Sequence, residues 1–176
     1  AYLYLEDQIK TKYSKFIEIL EDTLQSSNFP HIKRHRLQIL NNILQKVPEQ
    51  EALLMMILIG KFGDSDRTII SRVTYLLEQT VKKNPGMKLA LIKEIERLIF
   101  RPHIKQRTQY FAILFLTNLE FKRNNTTDQL LSQNLLSLYL TVFQVTVTEA
   151  LPVVQDKKLA TQALLTKKEQ VIKHGK

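Results

Sequence analysis

Apolar residues recur three and four positions apart along nearly the whole chain, and only short polar or proline-bearing corners interrupt them. That spacing matches a helix of about 3.6 residues per turn, so each run presents one apolar stripe that must be buried against another helix. Four Gly and five Pro in 176 residues leave little material for β-turns. The expected fold class is all-α.

In YSKFIEILEDTL the stripe is Phe16, Ile17, Leu20 and Leu24, and QSSNFP ends the helix. HIKRHRLQILNNILQKV lines up Leu37, Leu40, Ile43, Leu44 and Val47. Pro48 suits the first position of the next helix, where a missing N–H costs nothing, and Glu49 and Glu51 suit the positive end of its dipole. EALLMMILI, apolar on all sides, should be fully buried. Lys61 to Asp64 turns around Gly63. Ser65 or Asp66 then caps a helix carrying Ile69, Ile70, Val73, Leu76, Leu77 and Val81, which Lys82-Lys83-Asn84 closes. Asn84-Pro85 opens MKLALIKEIERLIF, and Pro102 opens HIKQRTQYFAILFLTNLEF. NNTTDQ reads as a polar loop. Thr126 and Gln129 have capping-box spacing ahead of LLSQNLLSLYLTVF. TVFQVTVTEALPVV reads as a fraying helix end and loop, and Lys157 to Lys173 as a last, more polar helix.

Helices of this length with short corners form a bundle or a solenoid, and internal spacing chooses between them. His31-Ile32-Lys33 returns as His103-Ile104-Lys105, with Asp66-Arg67 near the midpoint. At an offset of about 36 residues Ile39, Tyr75 and Phe111 align, as do Leu40, Leu76 and Ala112; two helices per unit at this period is the pattern of HEAT and armadillo arrays. The expectation is a HEAT/armadillo-like helical-repeat segment over residues 1–150, followed by a C-terminal linker and helix over 151–176.

The residues offer little to catalysis. No P-loop, GxGxxG, GxSxG or HExxH occurs, and four glycines are a poor basis for a phosphate cradle. His31 and His35 stand one turn apart, but no carboxylate or thiol beside them in sequence completes a metal site. Glu94 and Glu96 point different ways on a helix and do not form an acid–base pair. The chain has no cysteine, hence no disulfide framework or thiolate site. EALLMMILIG is well short of the roughly 20 residues that span a bilayer, and AYLYLEDQ lacks both an initiator Met and the order of a signal peptide. The expectation is a segment of a longer protein with no enzyme activity, no metal or other cofactor, no small-molecule substrate and no membrane contact.

A net charge of +9 with a pI near 9.7 favours a polyanionic partner. The cations gather at helix ends: Lys33, Arg34 and Arg36; Lys82, Lys83 and Lys88; Arg101, Lys105 and Arg107. If equivalent helix starts align along one edge, these clusters form a positive rim, where helix N-termini add N–H groups suited to phosphate. The alternative is a solvated face. At the FRPHIKQR corner, Arg101 is expected to satisfy carbonyls at the end of the preceding helix or to fix the corner. Lys105 and Arg107 are expected to face outward. Tyr110, Phe111 and Phe115 read as core rather than as platforms for bases, while Tyr2 and Tyr4 are open to either use.

Pro48-Glu49-Gln50-Glu51, Lys61-Phe62-Gly63-Asp64, Ser71 through Leu77, Asn84-Pro85-Gly86-Met87-Lys88, and the block from Glu94-Ile95-Glu96 through Phe100-Arg101-Pro102 to Arg107-Thr108-Gln109-Tyr110 together resemble the CCAAT-binding-factor family, also called the nucleolar-complex or Mak family. The resemblance runs from about Tyr4 to Val147. It implies a helical-repeat scaffold of the nucleolus acting in early assembly of the large (60S) ribosomal subunit. Such a scaffold would bind pre-ribosomal RNA, a second nucleolar-complex protein and other large-subunit assembly factors. A protein-only adaptor and a DNA-binding transcription cofactor are the alternatives. After LATQALLT the chain reads KKEQVIKHGK, where the family pattern has a Gly-Val-Asn-Arg-Ala-like continuation.

Overall fold

Buried side chains recur at the helical interval on every segment of the computed structural model, which describes residues 2–26, 29–47, 49–122 and 126–148. Helices joined by short corners make up this part of the chain, and no strand occurs among the described residues. The class is all-α, as the apolar period requires.

Helix α1 (Tyr2–Ser26) buries Ile17, Leu20 and Leu24. Phe16, expected on the same stripe, is 45% exposed, because one residue turns the side chain about 100° away from its neighbour on a helix. Helix α2 (Pro30–Lys46) starts with proline at N1 and buries Leu37, Leu40, Asn41 and Leu44. Val47 has already left the helix as its extended C-cap and is exposed.

Helix α3 (Glu51–Gly60) does not begin at Pro48, which lies outside the described residues. Its N-cap Gln50 sits at φ 56, a left-handed conformation that no α-helix continues through. Leu54, Met55, Ile57, Leu58 and Ile59 are buried, but Met56 is exposed, so this apolar helix is not covered on every side. A 3-10 turn follows at Lys61–Gly63.

Helix α4 (Arg67–Lys83) follows its sequence closely. The Asp66 carboxylate caps it by accepting the Thr68 N–H at 2.8 Å, and all six expected apolar side chains are buried together with Thr80. Pro85 opens a 3-10 turn, Pro85–Met87, rather than the helix itself. Helix α5 is Lys88–Ile99 and helix α6 is Gln106–Thr117. Pro102 therefore does not start α6. His103 at φ 60 cannot belong to an α-helix, and the extended Lys105 is the cap. Arg101, expected to satisfy carbonyls at the end of α5 or to fix the corner, is exposed, and the Ile99 carbonyl accepts from Gln109 Nε2 at 3.0 Å.

Neighbouring helices pair (α1 with α2, α2 with α3, α5 with α6), and helices two apart also pack together, α2 on α4 and α3 on α5. Polar contacts fix the sense of the first of these. Gln38 meets Arg72, Asn41 meets Thr80, and Gln45 meets Thr80 and Lys83. The partners advance together along both helices, so α2 and α4 run parallel. Leu40, Leu76 and Ala112, aligned by the repeat offset, are buried on α2, α4 and α6, whereas Tyr75 of the other aligned set is exposed.

Phe62 and Phe115, both fully buried, stand 5.7 Å apart between ring centroids and fix the Lys61–Gly63 turn against α6. The approach is close: a Cβ on Gly63 would lie 3.3 Å from Thr108 Oγ1. Across α2 and α4 the Thr80 hydroxyl donates to Asn41 Oδ1 at 2.7 Å and accepts from Gln45 Nε2 at 3.0 Å. Satisfied in this way, the two buried polar side chains do not penalise the core.

The chain divides into two compact units, Ala1–Glu120 and Phe121–Lys176. The first unit carries α1 to α6. Helix α7 (Thr126–Thr148) lies in the second, and TVFQVTVT stays helical through Thr148 instead of fraying. Asp128, Leu131, Leu135 and Leu138 are buried, and Leu136, Leu140 and Phe143 are exposed. By length and composition alone α7 is long and apolar enough to cross a bilayer, the one such helix among the described residues. Of the polar loop expected at NNTTDQ, Thr126 to Gln129 already form the first turn of α7, while Asn124-Asn125, the segment 151–176 and its expected helix from Lys157 to Lys173 lie outside the described residues.

Candidate nucleic-acid interface

The segment Lys61 to Asp66 gathers the starts of three helices. Lys33 Nζ, in the first turn of α2, donates to Asp64 Oδ2 at 2.9 Å. Arg107 Nη2, in the first turn of α6, donates to the Ser65 carbonyl at 3.1 Å. Lys33, Arg34, Arg36, Lys105 and Arg107 thus lie toward this end, with Arg101 on the corner that precedes α6. Lys82 and Lys83 occupy the last turn of α4, which a rise of about 1.5 Å per residue places over 20 Å from its start. Lys88 opens α5. The nine cations do not share one border.

Several of them hold the fold. The Lys33–Asp64 pair is largely shielded, with side chains 17% and 7% exposed. Burial pushes the Asp64 carboxyl up, but the Asp66 N–H, the Lys33 ammonium and nearby Lys61 outweigh it and bring its pKa below the ordinary carboxylate value. Burial lowers the pKa of Lys61, against the attraction of Asp64 and with the repulsion of Lys33. Arg36 donates to the Thr23 carbonyl and ties α2 to the end of α1. Lys83 donates to Gln45 Oε1 at 3.0 Å. Lys88 is buried and donates to the Glu120 carbonyl at 3.0 Å. Arg107 also lies over the Phe111 ring, 5.7 Å from its centroid. Lys82, Arg101 and Lys105 are exposed. Among the described residues Arg34 reaches Pro30 O of its own helix, at 3.4 Å.

Beside Arg34, the parallel helices frame an open groove of about 680 Å³. Helix α2 contributes His31, Arg34, His35 and Gln38, and α4 contributes Thr68, Ser71, Arg72 and Tyr75. Every one of these side chains carries a hydrogen-bond donor in at least one protonation state, and none is a carboxylate. Arg72 Nη2 donates to Gln38 Oε1 at 2.6 Å, and its guanidinium carbon lies 5.6 Å from the centroid of the Tyr75 ring. The Tyr75 side chain is 51% exposed.

Sequence reasoning named Arg34 but missed Arg72 and Tyr75. Their signal was present: His31, His35 and Gln38 on α2, and Thr68, Arg72 and Tyr75 on α4, occupy i, i+4, i+7 positions on the face opposite the apolar stripe. Tyr110 departs from the core reading at 61% exposed, whereas Phe115 is buried. Among the described residues no group of three or more His, Cys, Asp or Glu could hold a metal ion.

A second cleft, about 290 Å³, opens between α1, α3 and α5. Its wall mixes Glu21 and Glu94 with Lys61, Arg97 and Arg101, over apolar Met56 and Leu98. Arg97 Nη1 pairs with Glu94 Oε2 at 2.9 Å.

No family model matches the chain. It is 33% identical over 141 residues to CCAAT/enhancer-binding protein zeta of Mus musculus, a match covering 80% of this chain and 13% of the relative. Nucleolar complex protein 1 of Drosophila melanogaster is 32% identical over 119 residues, 68% of this chain and 10% of that protein. Ribosome biogenesis protein NOC1 of Chaetomium thermophilum is 33% identical over 139 residues, 78% of this chain and 13% of that protein. The chain thus spans about an eighth of the length of the curated relatives it matches.

Proposed function

The chain belongs to the CCAAT-binding-factor/Noc family, and from that premise we propose that it serves as a scaffold without catalytic activity in ribosome assembly in the nucleolus. It acts on the large (60S) subunit, binding pre-ribosomal RNA together with a second nucleolar-complex protein and other assembly factors. The observation that carries this reading is a pairing: relatives named for the nucleolar complex and for ribosome biogenesis, and a groove without carboxylates on parallel helices. We read the packing of α2 on α4 and α3 on α5 as part of a HEAT/armadillo-like solenoid, which presents surfaces rather than a reaction centre.

One observation favours a second reading. Lys33, Arg36 and Lys88 direct their charge into the fold, which suits an adaptor that contacts proteins only. A DNA-binding transcription cofactor is less well supported, because reading major-groove base edges needs a helix bearing an Arg/Asn/Gln-rich recognition face.

The test is recovery of the tagged full-length protein from nucleolar extract, followed by sequencing of its crosslinked RNA and sedimentation of its complexes. The scaffold reading expects pre-ribosomal RNA and large-subunit precursors. Recovery of partner proteins with no crosslinked RNA would overturn it in favour of the adaptor, and crosslinking to promoter DNA alone in favour of the cofactor.

A further inference from the structure

We infer that the groove between α2 and α4 seats a single strand of RNA, with Arg34 and Arg72 on its phosphates and Tyr75 beneath a base. The inference rests on the RNA-binding reading and gives it an address.

Three observations converge on this groove. Its wall offers donors from both helices and no carboxylate, which matches a phosphodiester backbone, an acceptor-only anion. A protein segment would bring backbone N–H groups that need acceptors. The groove's most evident acceptor, Gln38 Oε1, is already taken by Arg72 at 2.6 Å. That same bond orients the Arg72 guanidinium, which also rests 5.6 Å from the Tyr75 ring centroid. The cation is therefore held in place before any ligand arrives, which lowers the ordering cost of binding.

The strand is single for a geometric reason. A half-exposed tyrosine can stack only on a base that is free of its own helix. Arg34 completes the site: it is exposed, and among the described residues its contact is a long one to Pro30 O within its own helix, which leaves the head to meet a phosphate.

Fluorescence anisotropy of the full-length protein with a labelled oligouridylate at about 0.1 M salt tests the assignment, because phosphate contacts are salt-sensitive in this range. Arg34→Glu with Arg72→Glu should weaken binding at least tenfold, and Tyr75→Ala about fivefold or more, a typical loss for one stacked base. Arg97→Glu, in the other cleft, should leave affinity within twofold. Thermal melting by circular dichroism accompanies each variant. If Arg72→Glu disturbs folding, Arg34→Glu alone carries the test, with an expected loss of about threefold or more. Wild-type binding that the groove variants leave within twofold would overturn the groove while leaving the RNA reading intact. Failure of the wild-type protein to bind any RNA would instead remove the RNA reading and this site with it. Equal competition by duplex RNA of the same length would overturn the single-strand assignment.

Discussion

The groove on α2 and α4 and the cleft between α1, α3 and α5 are built on the same helical framework, yet their walls differ in kind. The groove is open, lined by donors and free of carboxylates. The cleft is less than half the volume and carries Glu21 and Glu94 beside Lys61, Arg97 and Arg101. Both hold positive charge, so net charge does not separate them. The carboxylates do: they satisfy the cleft's own cations, as Glu94 does Arg97, and repel a phosphate backbone. On a basic protein, the location of the acids distinguishes an RNA surface from a merely soluble one.

The largest expected effect erases the difference by removing both surfaces. Lys61 lines the cleft, Asp64 holds the start of α2 beside the groove, and fully buried Phe62 anchors the turn between them. Phe62→Ala should cost about 3–5 kcal/mol, read by urea unfolding, and should impair both surfaces together. An unfolding midpoint close to wild type would show that the turn does not organise them.

Asp64→Asn comes next, at about 1–3 kcal/mol, because it weakens charge-assisted bonds to Lys33 and the Asp66 N–H. It also carries a pH signature. The folded pKa of Asp64 lies below its ordinary value of 3.8, so its contribution is complete above that value and is lost as pH falls through the folded value. The wild-type stability curve should drop more steeply than that of Asp64→Asn below about pH 3.8, the ordinary value. Parallel curves would contradict the linkage.

Gln38→Glu narrows the contrast by giving the groove the one feature that marks the cleft. The carboxylate would pair with Arg72 and oppose a phosphate, and RNA affinity in anisotropy should fall about tenfold, roughly 1.4 kcal/mol. Unchanged affinity would mean that Arg72 does not face the ligand. The smallest effect belongs to Glu21→Gln with Glu94→Gln in the cleft. It should shift RNA affinity by less than about twofold, since both side chains line the cleft and neither lines the groove.

Much of the framework was legible in the chain. Helix α4 announced itself through its apolar stripe, the Asp66 cap and the Lys82-Lys83-Asn84 close, and each signal acts within a turn or two of its own position. The prolines misled. Pro102 meets the requirements of a helix start, but His103 at φ 60 postpones α6 to Gln106, and that conformation is set by the packing of the corner. Phe16 was included because the apolar stripe of α1 is wider than the face its neighbour covers. The site was harder still. Lys33, Lys83 and Lys88 attract notice as runs of positive charge, but their partners Asp64, Gln45 and Glu120 lie 31 to 38 residues away. Arg72 draws no notice in the sequence and becomes significant only when the register of α2 against α4 sets it opposite Gln38.

The most direct test of the groove is the slope of log affinity against log salt for oligouridylate, measured on wild type and on Arg34→Gln with Arg72→Gln. Each phosphate contact on a single strand contributes about 0.7 to that slope, so the double variant should lose roughly 1.4. Two parallel lines would place the phosphate contacts elsewhere on the protein and contradict the account.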